Sequence, residues 1–73
     1  MDFTRRAEVR RLETSTQRRW RSHDGRFVVI EVVSHFDLPR RYLAVRRLPD
    51  SEVVIGRHRN KRRAEQACRK AAK

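Results

Sequence analysis

The stretch that decides the fold is Arg26–Phe36, "RFVVIEVVSHF". From Phe27 to Val33 it is β-branched or aromatic except at Glu31, the composition of a strand packed within a sheet. The turn signal "HDG" at 23–25 stands just before it. "DLP" at 37–39 ends it, because proline cannot donate to a ladder. Side chains along a strand alternate between faces. Val28, Ile30 and Val32 are assigned to the core, which leaves Phe27, Val29 and Val33 opposite them, broken only by Glu31. Either Trp20 and the N-terminal segment fold over that second face, or it is an apolar surface that takes a partner.

Working outward toward the C-terminus, "RRYLAVRRL" (40–48) reads as the next strand, "PDSE" (49–52) as a turn, and "VVIGR" (53–57) as the strand that pairs back in a hairpin. Asn60 then caps a helix over 60–72. Its small residues Ala64, Ala67, Cys68, Ala71 and Ala72 recur at the spacing of one helical face, while Arg62, Gln66 and Arg69 point away. Toward the N-terminus, Trp20 belongs to a short strand or arm. Residues 1–19 form a basic segment, read as partly disordered or as a short helix capped by Thr4 and interrupted at "TST" (14–16). The expectation is one α+β domain over 20–73, an antiparallel sheet of three or four strands with the C-terminal helix packed on one face.

The charge is the second constraint. Lys plus Arg is 20 and Asp plus Glu is 9 in 73 residues, a net charge of +11. That excess favours polyanions: nucleic acid, an acidic protein surface or anionic lipid. Lys61, Lys70 and Lys73 are the lysines, and all other cations are arginine, which suits bidentate contact with phosphate or carboxylate. A GC-rich genome also raises arginine content. The arginine doublets at 5–6, 10–11, 18–19, 40–41, 46–47 and 62–63 spread along the whole chain, a pattern of general polyanion attraction rather than one tuned groove.

Three cations, Lys61, Arg62 and Arg63, fall in the first helical turn, where each is disfavoured by roughly 0.3–1 kcal/mol. A solvated basic helix end is one account. The other is an anion site, in which side-chain cations add to the outward N–H groups of the helix start.

Chemistry is sparse. His23, His35 and His58 have no zinc spacing. Cys68 lies on the apolar stripe as a core residue rather than a nucleophile. No nucleophile and base stand together, so the chain reads as a non-enzyme without cofactor or metal. The single cysteine excludes an internal disulfide and fits a reducing compartment. "MDFTRRAEVRRLE" has no apolar h-region, and no run reaches the roughly 18 apolar residues of a membrane span. A soluble, intracellular protein, monomeric and away from membranes, is expected.

"GRHRNKRRAEQAC" (56–68) resembles the end of a double-stranded-RNA-binding domain of the bacterial ribonuclease III type, where a glycine-bearing strand enters a capped helix that opens with cations. The resemblance extends backward over about 20–73, with Phe27 and Tyr42 near aromatic positions of that family. Where the family carries Gly-Pro-x-His this chain has "SHFDLP", with His35 in the place of the histidine. The resemblance makes Asn60 the helix cap and Lys61 and Arg62 the phosphate-gripping pair, and Asn60, Lys61, Arg62, Arg63, His35, Arg40 and Arg41 together are the candidate partner or phosphate contacts. As a whole chain, the sequence also resembles the small RNA-polymerase-binding transcription regulators of lytic bacteriophages. That likeness implies binding to core subunits of bacterial RNA polymerase, displacement of the sigma factor to inhibit initiation, and antitermination. Nascent RNA or promoter DNA would be further contacts. The alternative is a non-catalytic RNA- or DNA-binding module.

Overall fold

The computed structural model describes residues 1–73. Five strands, β1 (Glu8–Arg11), β2 (Ser15–Arg21), β3 (Phe27–Ser34), β4 (Arg41–Arg47) and β5 (Glu52–His58), precede one helix, α1 (Lys61–Ala71). The strands form a single antiparallel sheet in the order β1-β2-β3-β4-β5. Each strand pairs with its neighbours in sequence, as short turns allow.

The N-terminal segment differs from the expectation. Residues 8–11 and 15–21 are strands rather than a helix or a disordered arm, and the sheet has five strands rather than three or four. The reason is local. "EVRR" and "STQRRWR" lack the apolar i, i+3, i+4 stripe that a packed helix needs, whereas every residue of β1 has a cross-strand partner on β2. Ahead of β1 the chain still follows the sheet, with Phe3 bridged to Ser22.

The β2–β3 turn is fixed by its own side chains. The Ser22 hydroxyl donates to Asp24 Oδ1 at 2.7 Å, the Arg26 N–H donates to the same oxygen at 3.1 Å, and the Phe27 N–H donates to Ser22 Oγ at 3.0 Å. Gly25 takes φ 75°, the left-handed region that glycine enters without steric cost. The Ser22 hydrogen bond, and then the Arg26 N–H, hold the Asp24 carboxyl below its ordinary pKa.

The helix packs over β3, β4 and β5. Beneath it lie Phe27, Val29 and Ala44 with Ala64 and Cys68 of the helix, flanked by Phe3, Trp20, Tyr42, Ala67 and Ala72. The face assignment of β3 is therefore the reverse of the expectation. Phe27 and Val29, expected to be covered either by Trp20 and the N-terminal segment or by a partner, are 0% exposed under α1 with Trp20 and Phe3 packed at their flank, and Val33 shares their side of the strand. Register explains it: Val29 pairs with Ala44, and Ala44 pairs with Gly56. Small residues in that row let the helix approach the sheet closely. A Cβ at Gly56 would meet His58 Nε2 at 2.6 Å, so glycine also leaves room for the imidazole (a usual reason for glycine within a strand).

No helix covers the other face, here called the open face. Yet Val28, Ile30 and Val45 are 3%, 6% and 2% exposed. Val32 and Leu43 pack against them, and a clasp adds to that cover: Arg19 of β2, the cross-strand neighbour of Ile30, donates to both carboxylate oxygens of Glu52 on β5, at 2.8 and 2.6 Å. Two strands lie between them, and in a flat sheet β2 and β5 would stand about 14 Å apart. The sheet is thus twisted and coiled toward its open side, and the Arg19 stem passes over the apolar row. Long cationic side chains cover apolar surface in this way while the charged head stays polar.

Candidate functional site

Two features stand at the end of the molecule where β4 begins, β5 ends and α1 starts. The first is a depression formed by Arg40 and Arg41 ahead of and on β4, by Arg57, His58 and Arg59 at the end of β5, and by Arg63 in the first helical turn, with Pro39 at its margin. No carboxylate lines it, and the Pro39 ring is its one aliphatic side chain. The antiparallel hairpin brings the groups together: Tyr42 pairs with His58 and Leu43 with Arg57, so the beginning of one strand meets the end of the next. Asn60 then turns the chain back to the same end, its side-chain oxygen accepting from the Arg63 N–H at 2.9 Å. Arg41, Arg57, Arg59 and Arg63 have no carboxylate within ion-pair distance, whereas Arg40 lies 3.9 Å from Glu31.

The second feature is Glu31 itself, buried on β3 between its cross-strand neighbours Arg18 and Tyr42. Its Oε2 accepts from the Tyr42 hydroxyl at 2.7 Å, while Oε1 has no hydrogen-bond partner. Arg18 stands 3.8 Å from Oε1, near enough to balance charge but outside hydrogen-bond range. The Glu31 hydrogen bond, followed by burial, pushes the Tyr42 hydroxyl above its ordinary pKa. Burial likewise pushes the Cys68 thiol up, so Cys68 sits neutral in the core.

Of the residues expected to contact a partner, Arg40, Arg41 and Arg63 come together here, with Asn60 holding the helix start. Lys61 does not join them. Its ammonium sits 4.5 Å from the centre of the Trp20 ring and 3.4 Å from Glu65 Oε1, which offsets its unfavourable place at the positive end of the helix. Arg62 is exposed and outside the depression. His35 lies elsewhere: its ring makes hydrogen bonds with Thr16 Oγ1 at 3.0 Å and the Glu13 carbonyl at 3.2 Å, tying the β1–β2 turn to the end of β3. Phe27 and Val29 are core. Sequence reasoning missed Arg57, His58 and Arg59. The hairpin register held the signal, since a turn at 49–52 places residues 57–59 beside 40–42.

Apolar side chains also reach solvent away from the depression. Phe36 and Leu38, in the β3–β4 loop, are 65% and 66% exposed, and Val53, Val54 and Ile55 are exposed along the edge strand β5. A register shift between Ala44 and Val45 leaves Ile55 as an extra residue in that edge, a bulge of the kind that interrupts regular edge pairing. No protein family, curated protein or solved structure matches this chain.

Proposed function

We propose that this protein is a regulator directed at another protein, bacterial RNA polymerase, whose core it binds to inhibit initiation by displacing the sigma factor and to promote antitermination. One observation carries the protein-directed part. Phe36, Leu38, Val53, Val54 and Ile55 stand in water on a chain with a small core. Contact with phosphates gives such groups no use, whereas desolvated apolar anchors seat a protein complex. The +11 charge adds long-range attraction to an acidic surface, speeding encounter more than it deepens affinity. The choice of polymerase comes from the likeness to phage transcription regulators.

A second reading, a non-catalytic RNA- or DNA-binding module of the double-stranded-RNA-binding type, is favoured by the Asn60-capped basic helix start beside the β4 and β5 cations. Strands β1 and β2 stand where that family has a helix, which weighs toward the first reading.

Calorimetry against purified core polymerase and, separately, against a duplex RNA at about 0.15 M salt separates the two, since steering by exposed charge is screened there over about 8 Å. The polymerase reading expects binding that persists at this salt and is lost in a Phe36→Ser/Leu38→Ser variant. Tight duplex binding with no polymerase binding would overturn it.

A further inference from the structure

We propose that the depression between β4, β5 and α1 is a site for the phosphodiester backbone of a nucleic acid, which it grips without reading the bases. This goes beyond the polymerase reading and stands independently of it.

The composition of the lining is the first reason. Five guanidinium groups and one imidazole converge there from three elements, with no carboxylate among them. Like charges gathered in this way repel one another, and a polyanion relieves that repulsion. The ligand class follows from what the lining lacks. An acidic protein surface would need apolar contact to be seated, and the Pro39 ring is the one aliphatic side chain that lines the depression. The exposed apolar groups, Phe36 and Val53–Ile55, lie outside it. A guanidinium presents paired N–H groups that match phosphate oxygens.

Base reading is disfavoured for a similar reason. Single-strand binders stack bases on aromatic rings, but the Trp20 ring is occupied by Lys61 and Tyr42 donates to buried Glu31. Neither ring lines the depression, and His58 leans back over Gly56 with its Nε2 buried.

The expected salt dependence follows from the count of unpaired cations. Arg41, Arg57, Arg59 and Arg63 are free of carboxylates, and four neutralised phosphates give a slope of log K against log salt of about −3.6 on a duplex. Between 50 and 200 mM salt the affinity then falls by about 150-fold.

The test uses fluorescence anisotropy of the full chain with two labelled 20-bp duplex RNAs of unrelated base sequence, with poly-L-glutamate as a competing polyanion. An Arg57→Gln/Arg59→Gln variant is compared with Arg26→Gln/Arg46→Gln, which removes the same charge from exposed positions at the other end of β3 and β4. Circular dichroism checks that both fold, and Arg41→Gln/Arg63→Gln replaces the first variant if it does not. The expected result is equal binding of the two sequences. The first variant should lose about 1.8 of the slope and more than about ten-fold in affinity at 0.1 M salt, with the slope of the control pair kept. Equal losses from both variants would mean diffuse attraction and overturn the site. Competition by poly-L-glutamate as strong as by unlabelled RNA, or no duplex binding at low salt, would also overturn it.

Discussion

Replacing Arg19 tests whether a clasp rather than a helix keeps the open face dry. Arg19→Ala removes two contributions. The bond to Glu52 is bidentate but part-exposed at the carboxylate end, so it contributes about 1 kcal/mol rather than the larger figure of a buried pair. The Arg19 side chain is only 12% exposed, and losing the two methylenes of its stem beyond Cβ costs about 1.5 kcal/mol at about 0.8 kcal/mol per buried CH2. Together these give about 2.5 kcal/mol, which in a domain of this size lowers Tm by roughly 10–20 °C. Arg19→Met keeps most of the stem and loses the charge, so it should cost about 1 kcal/mol. Urea denaturation of both variants, with Glu52→Gln and the double mutant completing a cycle, separates the ion pair from the cover. Should Arg19→Ala unfold within about 0.5 kcal/mol of the parent, the range of an ordinary surface change, the clasp would not be what shields the row.

Three further outcomes are expected. Cys68→Glu places an unpaired charge in the packed face against Phe27 and Val29 and should unfold the domain, read by loss of amide dispersion in NMR. Lys61→Ala should cost about 0.5 kcal/mol, because the Trp20 and Glu65 contacts slightly outweigh the dipole conflict, while Arg62→Ala should be neutral or stabilising. Thermal melts and Trp20 fluorescence distinguish the two variants. Asp24 has a folded pKa below its unfolded value of about 3.9, so its contribution is present above that pH and is lost as pH falls through the folded value. An acid titration of stability should therefore lose part of its slope below about pH 4 in Asp24→Asn.

The C-terminal half was legible because its signals were local. The β-branched run at 27–33, the Pro49–Glu52 turn and the Asn60 cap each name a structure within a few residues. The faces of β3 were not legible, because both are apolar and alternation cannot say which one meets a helix. Ala44 and Gly56 settle it, but only once the pairing with Val29 is known. Residues 8–21 form strands without an apolar alternation, since arginine stems and a neighbouring strand stand in for a hydrophobic face. The candidate site was half legible. Arg40, Arg41 and Arg63 are visible as cations, but their meeting with Arg57 and Arg59 is a property of register, and the diversion of Lys61 to Trp20 depends on how the helix lies on the sheet.

The central strand has one more consequence. "FVVIEVV" (27–33) combines high β propensity with a single charge, the kind of segment that stacks into fibrils when exposed. Its partners on either side are "RRWR" (18–21) and "RRYLAVRR" (40–47). Whenever the chain opens, the segment is therefore presented between arginines that repel a second copy, as gatekeeper charges do. The net charge of +11 also keeps molecules of this protein apart. Because salt weakens that repulsion, the protein should be most prone to self-association in concentrated salt or alongside a polyanion that neutralises several copies at once.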